Sequence, residues 1–234
     1  MSREMSHPAH PTPLASIQGS DALYPIRRIF CVGRNYADHA REMGRDPERE
    51  APFFFTKSCD AFVASGQPIH YPPETSNFHY EMELVVALGQ PAVRATRAQA
   101  QAAIFGYACG LDMTRRDLQL EARDRGRPWD IGKSFEESAV IGPIRRFSGG
   151  KPLTAGEITL RVNDQIKQSA DIADLIWPVV DIVSILSKFH RLGAGDLIFT
   201  GTPAGVGPVM PGDVLRGEIA GLMPVITTIL PAQE

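Results

Sequence analysis

Short apolar runs broken by turn residues recur along most of the chain, a pattern that predicts many strands and few helices. A strand is expected over 26–32, ending at Gly33, with Asn35 placed to cap a short helix that runs to about Met43 before Gly44 stops it. Residues 46–52 read as polar loop, 52–57 as a short buried strand with a cation at its end, 67–71 as another strand, and 80–88 as a stronger one. Thr96 caps an expected helix over 96–104, which leads into the apolar stretch 105–111 and then Asp112; a second helix is expected over 114–125. Asn163-Asp164 separates two strand candidates, 157–162 and 165–168, as in a two-residue hairpin. The apolar stripe over 178–192, with Pro178 near its first turn and Gly193 as its C-cap, predicts the most regular helix. Strands follow at 197–200, 214–219 and 225–230. Residues 1–20 carry Pro, Ser and His without periodicity and read as a flexible or loosely docked segment, leaving 21–234 as a single domain without repeat or linker.

Composition narrows the class. With 234 residues, 43% hydrophobic and 22% charged, the chain is long enough for a real core and has the make-up of a globular protein. Its 24 Lys and Arg against 27 Asp and Glu give a net charge of −3, which disfavours a partner bound through phosphate-backbone contacts. No uncharged apolar run approaches the roughly 18 residues of a spanning helix, and the first twenty residues lack a signal-type apolar core. The three cysteines, Cys31, Cys59 and Cys109, are odd in number and set among apolar neighbours, so they read as reduced thiols of a cytoplasmic protein.

Three constellations carry candidate chemistry. Glu81 and Glu83 lie two apart in an expected strand, so their carboxylates share a face beside the apolar run 84–88. Like charges held there need a proton or a cation, and Asp112, at the end of a buried-looking stretch, can complete three hard oxygen ligands for Mg2+ or Mn2+. The alternative is solvated carboxylates on an exposed strand face. His39 and Glu42, three apart on an expected helix, can form a dyad in which the carboxylate orients a basic imidazole, or a plain surface pair. In the stretch 200–208, glycines and the hydroxyls of Thr200 and Thr202 around Gly201 can hold a small anion, or simply make a tight turn. Lys57 and Lys133 are anion partners or snorkelling surface lysines, and Arg116 and Gln119 can share a face just after Asp112. No nucleophile-elbow motif is present, and no cysteine has a basic neighbour in sequence.

Five segments in order, Val32-Gly33-Arg34-Asn35-Tyr36-Ala37-Asp38-His39-Ala40-Arg41-Glu42-Met43, His79-Tyr80-Glu81-Met82-Glu83-Leu84, Leu111-Asp112-Met113-Thr114-Arg115-Arg116-Asp117, Gly132-Lys133-Ser134-Phe135 and Thr200-Gly201-Thr202-Pro203-Ala204-Gly205-Val206-Gly207, closely resemble the fumarylacetoacetate hydrolase family over residues 25–230. The stretch 33–55 looks most like the family's bacterial fumarylpyruvate-hydrolysing branch of gentisate breakdown. The resemblance implies an α+β, mainly β fold, a rolled β-barrel with peripheral helices, usually a homodimer. It implies a divalent metal on Glu81, Glu83 and Asp112, and a water-activating dyad of His39 and Glu42 on a short helix over the substrate. Lys133 and the 200–202 loop would line the site, with Arg116 and Gln119 at the oxoacid end. Two departures stand out: Thr56-Lys57-Ser58 replaces a Lys-Pro of many relatives, and Tyr80 sits where some have His.

The expected activity is hydrolysis of a carbon–carbon bond in a small acylpyruvate, fumarylpyruvate above all, giving fumarate and pyruvate. Lys133, together with Gln119 or the 200–202 loop, would stabilise the oxyanion, and Arg34 or Arg41 would meet a distal carboxylate. Decarboxylation of oxaloacetate or tautomerisation of an oxo acid at the same metal is the alternative reaction, and a non-catalytic binding protein the alternative class.

Overall fold

The computed structural model describes residues 11–42 and 51–233, the stretch 40–42 for its backbone alone. A hairpin of β1 (Leu14–Ile17) and β2 (Ser20–Pro25) opens the fold, with Ala15 and Ile17 buried and Ile26 N donating to Pro13 O at 2.8 Å. The expectation of a loosely docked segment therefore fails for residues 14–20: alternate small and β-branched side chains among the serines suffice to bury one strand face. Residues 1–10 lie outside the described residues.

The apolar strand β3 (Arg28–Gly33) leads through a left-handed Arg34 (φ +61°) to helix α1 (Ala37–Glu42), and β4 (Phe53–Lys57) returns antiparallel to β3. Next come β5 (Phe62–Ala64), β6 (Ile69–His70), β7 (Phe78–Tyr80) and the wholly buried β8 (Met82–Leu88). Helix α2 (Arg97–Ala103) starts at Thr96 as expected, its hydroxyl and Gln99 forming a reciprocal capping box, and runs directly into β9 (Ile104–Asp112). Then follow β10 (Thr114–Arg115), α3 (Arg116–Asp124), α4 (Asp130–Lys133), β11 (Ala139–Ile141) and β12 (Arg145–Arg146). The hairpin β13 (Glu157–Val162) and β14 (Gln165–Asp171) turns through Asn163 and Asp164, both at positive φ, as their residue types foretold. Helix α5 (Val179–Phe189) and strands β15 (Asp196–Phe199), β16 (Gly207–Pro208), β17 (Val214–Ile219) and β18 (Val225–Leu230) complete the chain.

Strands β4-β3-β15-β8-β9-β11-β5, with β12 beside β9, make one large sheet; β14-β13-β17-β18-β6 make a second that lies against β8 and β9; β10-β7-β16 make a small third. The result is the mainly β, curled architecture expected, with helices at its edges. Alternation divides each central strand between two cores: Leu84, Val86 and Leu88 enter the larger, Val85 and Ala87 the smaller, where Cys31, Ala108 and Phe199 also lie. No helix among the described residues is long and apolar enough to cross a membrane.

Several boundaries differ from expectation for tertiary reasons. Thr114 and Arg115 pair with β7, so the helix begins only at Arg116. The helix expected to reach Leu192 stops at Phe189, because Leu192 exchanges both backbone hydrogen bonds with Ala92 at 3.0 Å; Gly193 is not its cap and instead donates to Asp196 Oδ2. The Asn35 side chain reaches beyond its own helix: its amide donates to the carbonyls of Trp177 and Thr200 and its Oδ1 accepts from Trp177 N, fastening the start of α1 to two distant loops.

Candidate active site

The carboxylates come together where the β8–β9 ladder ends. Glu83 shares the face of Val85 and Ala87, and Glu81, two residues earlier, continues that column past the break between β7 and β8. At the break the Gln168 side chain accepts from Met82 N at 2.9 Å, supplying a bond the ladder lacks. Asp112 N donates to Glu81 O at 2.9 Å, which sets Asp112 beside the pair. One carboxylate oxygen from each of Glu81, Glu83 and Asp112 lies within 4.8 Å of the others. Their exposures of 5%, 2% and 0% dispose of the reading as solvated strand charges.

Buried cations hold this cluster. Lys133 Nζ directs its three N–H groups at Glu81 Oε2 (2.7 Å), Asp112 Oδ2 (2.8 Å) and Thr114 Oγ1 (2.7 Å). Arg116 Nη2 donates to Glu81 Oε1, and its Nη1 donates to Gln119 Oε1 at 2.5 Å. Lys57 Nζ stands 2.8 Å from Asp112 Oδ1 and donates to Met113 O, Lys133 O and Ser138 Oγ. Neither lysine is at the surface. Lys133 reaches the cluster because Gly132 meets α3 so closely that a Cβ would stand 2.8 Å from Gln119 N.

Electrostatics separates the three acids. Burial pushes the Glu83 carboxyl well above the usual range, with Asp112 and Glu81 adding to the effect. Burial acts the same way on Glu81, but Lys133 and Arg116 outweigh it and hold Glu81 below that range. On Lys133 burial favours the neutral amine, and Asp112 and Glu81 overcome it to keep the ammonium charged. Asp112 Oδ1, though beside Lys57, accepts no well-aligned hydrogen bond among the described residues. Three hard oxygen donors, one met by the charge of Lys57 but by no aligned N–H and one on a carboxyl that ionises only at a cost, fit a divalent cation of the Mg2+ or Mn2+ kind.

The 200–202 loop acts through its backbone. Gly201 N donates to Glu83 Oε2 at 2.7 Å, while the Thr200 hydroxyl donates to Leu84 O and so faces the sheet. Thr202 lines the cavity and accepts from Gln168. Gly201 has φ +102°, and an added Cβ would lie 2.7 Å from Asn35 Cβ. Gly201→Ala is expected to cost about 1–3 kcal/mol in chemical denaturation and to weaken metal binding by displacing Glu83; unchanged values for both would show that the loop does not position that carboxylate.

The carboxylates floor a cavity whose walls include Arg34, His39, Arg116, Gln119 and Lys133, all singled out from sequence. His39 is 7% exposed, which sets aside the surface-pair reading for the histidine; Glu42 follows three residues later in α1, with its side chain outside the described residues, as is that of Arg41. Arg34 stacks over Trp129, 6.0 Å from the ring centroid, and Trp129 in turn meets Phe55 at 5.9 Å. Leu120, Arg123, Trp129 and Phe55 also line the cavity and were not anticipated. Leu120 and Arg123 were findable, standing at i+4 and i+7 from Arg116 on one helix face; nothing local marks Trp129.

This fold and site have known counterparts. Residues 28–230 match the model of the fumarylacetoacetate (FAA) hydrolase C-terminal family. A fumarylpyruvate hydrolase of Ralstonia sp is 51% identical over 193 residues, 82% of this chain and 100% of the relative. An oxaloacetate tautomerase of Escherichia coli (strain K12) is 38% identical over 207 residues, 87% of this chain and 93% of that one. The crystal structure of fumarylpyruvate hydrolase from Pseudomonas aeruginosa in complex with Mn2+ and pyruvate superposes with a TM-score of 0.94 at 48% identity, covering 97% of this chain and 100% of its own. The chain belongs to the fumarylacetoacetate hydrolase family.

Proposed function

We propose that this protein is a metal-dependent hydrolase that cleaves the carbon–carbon bond of an acylpyruvate, with fumarylpyruvate giving fumarate and pyruvate. The observation that carries the reading is the buried Glu81, Glu83 and Asp112 cluster open to a cavity that also holds His39. The similarity to fumarylpyruvate hydrolases, including one solved with Mn2+ and pyruvate, supports the choice of substrate. Glu81, Glu83 and Asp112 would hold the ion, which when bound supplies Lewis acidity toward the oxygens of the pyruvate portion. His39, oriented by Glu42, takes a proton from a water that attacks the distal carbonyl, and returns a proton to the methylene carbon as pyruvate leaves. Lys133 gives up one of its three contacts to donate to the tetrahedral oxyanion, and Gln119 and Arg116 position the oxoacid end. Thr200 and Gly201 contribute by holding Leu84 and Glu83 in place, Thr202 from the cavity wall.

The reading extends to a homodimer in the cytoplasm acting in gentisate-type aromatic breakdown. Three unpaired cysteines, two of them buried, support a reducing compartment. The similarity to oxaloacetate tautomerases favours keto–enol exchange of oxaloacetate as a second reaction, since stabilising an enolate serves both chemistries.

Removing the metal with EDTA should abolish turnover, and Mg2+ or Mn2+ should restore it; turnover that survives EDTA would contradict the proposal. Saturation at about 100 times the dissociation constant should raise Tm by about 5–10 °C. Because Glu83 must shed its proton to bind a cation, apparent metal affinity should rise with pH, by up to about tenfold per unit below its raised pKa. Calorimetric titration with Mn2+ across pH checks this, and a pH-independent affinity would show that Glu83 is not a ligand.

A further inference from the structure

The face of α3 that lines the cavity carries charge at both ends. Arg116, Gln119, Leu120 and Arg123 occupy it at helical spacing. At the inner end Arg116 is committed to Glu81 and Gln119, and Lys133 to Glu81, Asp112 and Thr114. At the outer end the Arg123 guanidinium holds Oδ1 of its neighbour Asp124 through Nε and Nη2, both at 2.9 Å, and the Asp124 side chain is 64% exposed. A solvent-edge pair of this kind contributes little, so its guanidinium is exchangeable for a ligand carboxylate, which it can take bidentately.

Arg123 stands seven residues beyond Arg116, about 10 Å along the helix axis, which matches an extended seven-carbon diacid whose oxoacid end lies at the carboxylate cluster. Between the two arginines the walls are apolar, formed by Leu120, Phe55 and Trp129. Of the two sequence-based candidates for the far carboxylate, Arg34 stands over the Trp129 ring on the same cavity wall, and the Arg41 side chain lies outside the described residues. We propose that Arg123 is a specificity-determining residue that binds the distal carboxylate of a dicarboxylic acylpyruvate and so sets a preference for diacids over neutral acyl chains. The proposal rests on the acylpyruvate reading above and adds to it the residue that selects the substrate.

The test compares fumarylpyruvate with acetylpyruvate in the Mn2+-loaded wild type, Arg123→Gln and Arg123→Lys. In Arg123→Gln the ratio of kcat/KM for the diacid over the neutral substrate should fall on the order of 10- to 100-fold, mainly through KM, with Arg123→Lys retaining part of it. Equal losses for both substrates, or an unchanged ratio, would overturn the assignment. If wild type turns over neither substrate, the reaction assignment falls by itself, and binding decides the arginine. Calorimetry with 2-oxoheptanedioate and 2-oxoheptanoate should then show tighter binding of the diacid that Arg123→Gln abolishes; equal affinity for both acids in wild type would refute the proposal.

Discussion

Asp112→Asn should lower turnover on the order of 1,000-fold or more and destabilise the metal-free protein by about 3–5 kcal/mol. Asp112 is wholly buried between two ammonium groups, Lys57 Nζ at 2.8 Å from Oδ1 and Lys133 Nζ at 2.8 Å from Oδ2. Asparagine keeps the shape but removes the charge, leaving two buried lysines to share the remaining carboxylates, one of which, Glu83, resists ionisation. The activity loss has a separate cause, the removal of one of three oxygen ligands. Adding Lys57→Met to Asp112→Asn distinguishes the two: charge balance and thermal stability should recover in part, while metal affinity and turnover stay low. Recovery of turnover in the double variant would mean that Asp112 serves the fold and not the metal.

His39→Ala should reduce fumarylpyruvate hydrolysis about 10²- to 10⁴-fold while Mn2+ still binds. The imidazole sits buried on the cavity wall and is not a member of the carboxylate cluster, so its removal takes away a base and leaves the ligands intact. Enolisation of oxaloacetate draws on enolate stabilisation at the metal and needs no attacking water, so its rate should fall less than hydrolysis does. Parallel assays of both reactions on the same preparation, with Glu42→Gln beside it, provide the check. Equal losses in both reactions would make His39 a general proton carrier, and intact hydrolysis would remove it from the mechanism.

The parts of the fold written in local pattern were legible. Strands β3, β8, β15, β17 and β18 follow apolar runs bounded by Gly, Pro or Asp, and α2 follows its Thr96 cap. What was illegible depends on distant partners. Strand β11 is three residues long and exists because it lies between β9 and β5, and the end of α5 is decided by Ala92. The same division runs through the site. Glu81 and Glu83 were found by strand alternation and Asp112 by its place after a buried run. The burial of Lys57 and Lys133 was not readable, because β4 must pair with β3 and α4 must press Gly132 against α3 before either ammonium meets Asp112. Nor was the reach of Asn35 readable: its local sequence suggests a cap, while its side chain also ties the loops at Trp177 and Thr200, a contact set by the sheet.

Product analysis of fumarylpyruvate turnover in ¹⁸O-labelled water tests the central claim most directly. With Mg2+ or Mn2+ present, fumarate and pyruvate should appear in equal amounts, the fumarate carrying one ¹⁸O in a carboxylate, and EDTA should stop both. Metal-dependent loss of the fumarylpyruvate keto form without matched, labelled fumarate would contradict hydrolysis and leave the site to enolate chemistry alone.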